Sequence, residues 1–471
     1  MFDRHAERPT PNSKELSMSQ SNRNISTTHD TRREFLGLAG KLAATSALAG
    51  VAVPHVHAAG EGIIKLALIG CGGRGSGAAA NALSAPGGPV KLFAMADLFE
   101  DRLKASHKEL SKQFGDKIDV PPERQFIGFD AYRQAIDGLG PGDVAMLTGY
   151  TAFRPTQLEY AVEKGVNVFM EKPFAPDPVG VRQIVQAGEI AQQKNLKIAA
   201  GLMWRHSNAR QAMIQRIRDG AMGQIQLIRA YRMESGYHFG PRQWTGSELL
   251  GQLRVRWAFL WASSGILIEL MVHQVDECCW IKDAWPVSAH GIGGRAASSD
   301  ECGQNLDSYA IEYTFPDGTK ALVNGRYLPN CHNEFATYVH GTKCAGQFCV
   351  WGASPINTRI YNDQRIAADN IAWKSEPEVN PWQVEWNVLL DAIRNDRPHN
   401  EARRAAYADL ASIMGRAAVH SGKLITWEEA LASTFQFCPN VASLTADSPA
   451  PVHADAQGRY PAPIPGQWSE I

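Results

Sequence analysis

Three groups of residues have the types and spacing to do chemistry. The first is Gly70-Cys71-Gly72-Gly73-Arg74-Gly75, which follows the apolar run 63–69 and precedes an Ala-rich segment to about Leu83. Between a strand and a helix, glycines at this spacing let the turn tighten at Gly70, a pyrophosphate approach the backbone at Gly72, and the helix pack closely at Gly75. The helix N-terminus then faces the negative charge. Asp97 ends the next apolar run, 22 residues beyond Gly75. A carboxylate there accepts hydrogen bonds from an adenosine ribose and repels a 2′-phosphate, so NAD is expected over NADP. Arg74 and Arg102 could soften that preference. Gly73, Arg74, Thr148 and Glu171 complete the expected cofactor-binding set. A tight strand–helix turn without nucleotide is the alternative.

The second group is Glu171-Lys172-Pro173, which closes the apolar run 166–170. A lysine at the carboxyl end of a parallel strand points into the crevice where open α/β sheets bind ligands. Taken alone, the tripeptide also reads as a surface turn. The third group is Glu269, His273 and Asp276, which share one face of a helix expected over 265–281. A carboxylate on either side keeps an imidazole basic near neutral pH and suits it to general-base work on an alcohol. A helix-face ion-pair network is the alternative. Metal ligation by Glu269 and His273 lacks a third ligand, and the eight Cys contain no CxxC pair, so no metal site is expected. Adjacent Cys278 and Cys279 read as packing.

These residues need elements to position them. Apolar runs at 63–69, 90–96, 144–148, 166–170 and 197–202 alternate with helical segments, including 156–164 and 178–194. That alternation indicates a doubly wound parallel sheet, a Rossmann dinucleotide-binding domain over 59–201. Beyond it, helical segments at 210–219 and 265–281 are separated by strand-like runs at 225–233, 287–293, 308–315, 321–327 and 334–340. Consecutive strands without crossover helices imply an α+β domain over 202–435 with an open, mainly antiparallel sheet, closed by a helical stretch from Trp382 to about His420. The Pro-rich tail, 436–471, reads as an arm or strap. An open sheet face wants covering, so a homodimer or homotetramer is expected.

The whole chain has 471 residues, with 47 Lys and Arg against 48 Asp and Glu. So even a balance excludes nucleic acid or an anionic membrane as the main partner, since both select basic surfaces. A hydrophobic share of 44% and a charged share of 20% are those of a globular protein. At the N-terminus, Arg32 and Arg33 precede a weakly apolar stretch, 37–53, and small residues at Val56-His57-Ala58. This leader, 1–58, resembles a twin-arginine export signal too weak to hold a spanning helix. The expected partner is the twin-arginine export machinery and the expected destination lies outside the cytoplasmic membrane. An accidental Arg pair in a disordered tail is the alternative, and Met1 and Met18 both remain as starts.

Taken together, LALIGCGGRG, FAMADLFEDR, VEKGVNVFMEKPFA, MVHQVDECCW, NPWQVEWNVLLDAIRNDRPHNEA and ITWEEAL resemble the glucose–fructose oxidoreductase / inositol dehydrogenase / rhizopine-catabolism family, written Gfo/Idh/MocA. The likeness runs from about residue 62 to 432, and exported members carry twin-arginine leaders. It implies a sugar or polyol substrate in a cleft between a dinucleotide domain and an open-faced domain. It also implies that Lys172 binds the reacting hydroxyl and helps orient the nicotinamide, His273 takes the proton, and Glu269 orients the imidazole. Two departures stand out. Ile266, Leu270 and Met271 replace polar residues of the exported subgroup, and Arg154 stands where the family has a histidine. For the substrate wall the candidates are Arg154, Arg205, His206, Tyr237, Trp257, Trp261 and Asp276, with packing or an oligomer face as their alternative.

Free NAD is scarce outside the membrane, so an exported member is expected to retain its cofactor and return each hydride in place. The leading reading is an NAD(P)-dependent oxidoreductase acting on a hydroxyl of a sugar, sugar derivative or polyol. Alternatives are a glycoside hydrolase or lyase working by transient oxidation and elimination, and a non-catalytic dinucleotide or sugar sensor.

Overall fold

The computed structural model describes residues 62–236, 242–296, 303–348 and 358–471. The twin-arginine leader and Tyr237 lie outside the described residues. Short apolar runs dictate the first sheet: β1 (Ile64–Ile69), β2 (Val90–Asp97), β3 (Gln125–Ile127), β4 (Val144–Leu147), β5 (Asn167–Met170) and β6 (Ile198–Ala200). Every pairing is parallel and the order is β3-β2-β1-β4-β5-β6. Strands buried on both faces need cover on both. Helices Ala131–Asp137, Arg154–Glu163 and Pro178–Gln193 pack on one face, and Gly73–Leu83 and Glu100–Phe114 on the other. The strand order reverses between β1 and β4, which opens a crevice at their carboxyl ends.

The second sheet has nine strands: β7 (Ile225–Met233), β8 (Ser288–Gly294), β9 (Ser308–Thr314), β10 (Lys320–Arg326), β11 (Glu334–Gly341), β12 (Ala345–Gln347), β13 (Arg359–Tyr361), β14 (Ile371–Lys374) and β15 (Ile425–Thr426). Their order is β14-β13-β12-β11-β7-β10-β9-β8-β15, antiparallel apart from the β7–β10 pair. In β9 and β10 alternate residues are buried, so one face meets the core and the other looks outward. The buried face meets two helices, Gly265–Lys282 and Ala402–Ser421. A side chain at Gly325 would strike Met271, and one at Gly415 would strike Tyr313. Both helices are buried nearly all round, as apolar-faced helices inside a core must be.

The helical stretch expected from Trp382 to His420 is two helices, Pro381–Arg394 and Ala402–Ser421. Pro398 disfavours a helical residue before it, and Asp396 takes positive φ. The connection instead runs beside β6, where the Ile198 N–H donates to the His399 carbonyl. Pro381–Arg394 covers the first sheet, stacking Trp386 on Phe169 at 4.4 Å between ring centroids. Ala402–Ser421 packs on both Pro178–Gln193 and the second sheet. The tail wraps the body without regular strands and seats Tyr460 against Phe259 at 4.7 Å. Near its end, Glu470 is fully buried 2.8 Å from Arg416.

Candidate active site

The glycine turn sits at the crevice. Gly70 has φ +98°, and a Cβ there would run into Gly149. A Cβ at Gly75 would run into the Gly70 carbonyl and the Thr148 hydroxyl. Thr148 Oγ1 donates to that same carbonyl (2.7 Å) and so ties the turn to the end of β4. Gly72 and Gly73 have nothing within 4 Å of such a Cβ. They border a cleft of about 390 Å³ that is also lined by Arg74, Arg102, Ser106, Thr148 and Arg256. Asp97 is buried, and its two oxygens accept the N–H groups of Cys71 (2.7 Å) and Phe99 (2.9 Å). Burial raises its pKa, against the pull of those N–H groups and of Arg102 and Arg256. The carboxylate is thus a staple holding the turn to β2. Open backbone beside a roomy cleft fits the diphosphate of a dinucleotide.

Lys172 leaves the end of β5 through a cis peptide bond to Pro173. Its ammonium donates to the Glu269 carbonyl (2.5 Å) and carboxylate (2.9 Å). Two buried groups fix the loop after it. Arg154 donates to the carbonyls of Leu147, Gly149 and Pro173, and burial lowers its guanidinium to about 10. Asp409 accepts the N–H groups of Phe174 (2.5 Å) and Ala175 (2.8 Å), and burial raises its carboxyl to about 7. Glu171 turns away to Arg74 (3.0 Å). Near it lies the fully buried Glu385, pushed well above the carboxylate range by burial and by the charge of Glu171.

His273 lies on the helix Gly265–Lys282, one turn beyond Glu269. It is buried, and its Nδ1 lacks a hydrogen-bond partner among the described residues. Its ring lies 5.4 Å from that of Trp204, which also has the Arg210 guanidinium at 4.1 Å and the Phe335 ring at 6.1 Å. The histidine pKa falls well below its ordinary value because of burial first, then the positive charges of Lys172, Arg232 and Arg210. The expectation of an imidazole kept basic by Glu269 and Asp276 is therefore overturned. Glu269 spends its carboxylate on Lys172, and Asp276 pairs with Arg205 through two contacts of 2.8 Å.

No family model matches the chain. An inositol 2-dehydrogenase from Cereibacter sphaeroides is 23% identical over 184 residues, 39% of this chain and 47% of that protein. The likeness thus spans about half the length of the curated relative. An aldose-aldose oxidoreductase from Caulobacter crescentus, complexed with glycerol, superposes at TM-score 0.60 and 17% identity, covering 78% of this chain and all (100%) of that one. A scyllo-inositol dehydrogenase from Lactobacillus casei, holding NAD(H) and scyllo-inositol, gives 0.57 and 19% over 78% and 100%. The chain has the fold of these dehydrogenases.

Within this fold the expected substrate residues separate. Lys172, Glu269 and His273 come together. Arg154 is corrected from a substrate contact to a buried staple of the Lys172 loop, since its donors are spent on three carbonyls. Trp261 is corrected to core: it is fully buried and donates its indole N–H to Gln252 (2.8 Å). His206 is buried at 3.5 Å from Glu401, and Arg205 is held by Asp276. Trp257 is half-buried, with Arg256 over its ring at 5.7 Å. The sequence reading missed Trp204, Arg232, Phe335 and Asp409. Trp204 lies just past the carboxyl end of β6, the same signal that singled out Lys172. Arg232, stacked on Phe335 at 4.7 Å, carried no motif.

Proposed function

We propose that this protein is a nicotinamide-dependent oxidoreductase acting on a hydroxyl of a sugar or polyol. The observation that carries the reading is the Lys172–Glu269 contact, one helical turn from His273 and next to the Glu171–Arg74 pair that reaches the open glycine turn. The turn, with Gly72, Gly73 and Asp97, would hold NAD, and the nicotinamide supplies a hydride acceptor. The Lys172 ammonium binds the substrate hydroxyl and favours its alkoxide. His273, neutral near pH 7, takes the proton through its free nitrogen. Glu269 holds the ammonium in place, a role moved from imidazole to lysine. Trp204 and Phe335 give the sugar an apolar face to lie on.

Export through the twin-arginine pathway and retention of NAD belong to the same proposal and rest on Arg32 and Arg33. A homo-oligomer is proposed on the outward face of the second sheet, where Ile292 is 77% exposed. The deciding experiment mixes the purified chain with NAD and a panel of sugars and polyols and follows reduced-nicotinamide absorbance. Reduction lost in Lys172→Met supports the reading. No nucleotide binding and no reduction with any substrate would overturn it in favour of a sensor.

A further inference from the structure

The cleft beside the glycine turn carries more positive charge than the turn itself explains. Three arginines line it, and Arg74 is the one already paired, with Glu171. Among the described residues no carboxylate pairs with Arg102 or Arg256. Asp97 lies near both, but it is buried and holds two backbone N–H groups, and Glu109 at the rim is exposed. The helix Gly73–Leu83 starts with neither a side-chain cap nor an acidic residue in its first turn. Guanidiniums without a carboxylate partner, lining one cleft with an uncapped helix start, call for an anion with several acceptor oxygens.

Arg256 reaches the cleft from outside the parallel sheet. It sits in a single turn, Arg256–Ala258, that follows the helix Glu248–Arg254. That segment is clasped to the end of β2. Arg254 lies 3.7 Å over the Phe99 ring and 2.7 Å from Asp101, while Arg102 donates to the Arg254 carbonyl (3.1 Å) and the Tyr150 hydroxyl (2.7 Å). Leu249, Leu253 and Phe259 are buried with Phe99 and Tyr150. The position of Arg256 is therefore built into the fold.

We propose that Arg102 and Arg256 grip a phosphate of the bound dinucleotide, so that a segment beyond the parallel sheet completes the cofactor site. This rests on the dehydrogenase reading above. The phosphate is either the bridging diphosphate, common to NAD and NADP, or the ribose 2′-phosphate of NADP.

The test is calorimetric titration of the full chain with NAD and with NADP, for wild type, Arg256→Gln, Arg256→Lys and Arg102→Gln, with thermal melts as the folding control. Losing a charge-assisted hydrogen bond should weaken binding about ten- to a hundred-fold in the Gln variants. Arg256→Lys should keep most of the affinity, and the dependence on salt should flatten in Arg256→Gln. Equal loss for both nucleotides assigns the diphosphate, and loss confined to NADP assigns the 2′-phosphate. Unchanged affinity in a folded Arg256→Gln overturns the grip while leaving the dehydrogenase reading intact. A wild type that binds neither nucleotide overturns both.

Discussion

Lys172 and His273 are held in place by opposite means. Lys172 stands on a loop pinned by charge: Arg154 and Asp409 take up its backbone groups, and Glu269 takes its ammonium. His273 stands on a helix buried on every side and is held by the Trp204 ring rather than by a hydrogen bond on Nδ1. A charged group can be held in a dry place only by compensating partners, and those partners tie distant parts of the chain together. A neutral imidazole needs only packing. One residue is thus fixed by charged partners, while burial holds the other's pKa well below its ordinary value.

The sharpest way to break this contrast is at the lysine. Lys172→Met should cut kcat/KM by about 10²- to 10⁴-fold, on the scale of losing a positioned acid or base. It should also destabilise the fold by stranding the Glu269 carboxylate. Adding Glu269→Gln should restore the urea midpoint but not the rate. If stability and rate recover together, the pair is structural.

A smaller effect is expected at the pin. Asp409→Ala removes the acceptor for two buried N–H groups and should cost about 1–3 kcal/mol in urea unfolding, with a fall in kcat. Asp409→Asn keeps an acceptor oxygen and should recover much of both.

Smaller again, but opposite in sign for His273 and Asp409, is the response to pH. Unfolded, His273 takes up a proton near pH ~6.5; folded, it resists, so its contribution to stability is lost as pH falls through that range. Asp409, raised to about 7, binds its proton more tightly when folded, so its contribution is lost as pH rises toward about 7. Urea midpoints across this range should lose the first slope in His273→Phe and the second in Asp409→Asn. Slopes of one sign in both variants would end the comparison. The mildest change is Trp204→Phe, which keeps an aromatic face against the imidazole. It should cost about 0.5–1.5 kcal/mol of transition-state stabilisation, read as kcat/KM.

What could be read from the chain beforehand was local. The glycine turn, the lysine at a strand end and the five long strands of the second sheet each lie within a few residues of their own signal. Charge partners do not. Glu269 and His273 are one turn apart on a helix, and spacing alone pairs them. The carboxylate instead goes to Lys172, 97 residues away, because a buried carboxylate gains more from a full cation than from an imidazole. Arg154 looked like a site residue because of where it stood, and nothing local showed three carbonyls converging on it. Asp409 was invisible for the same reason.

The pin at Asp409 also sets an order of assembly. Phe174 is made 235 residues before the carboxylate that holds it. At about 5–20 residues per second, the lysine loop waits roughly 10 to 50 seconds for its anchor. The parallel sheet waits nearly as long for Trp386 to cover Phe169. During synthesis, then, an apolar sheet face and an unfastened Lys172 loop are left bare together. The chain is most open to aggregation and proteolysis just before its late helices arrive to close both.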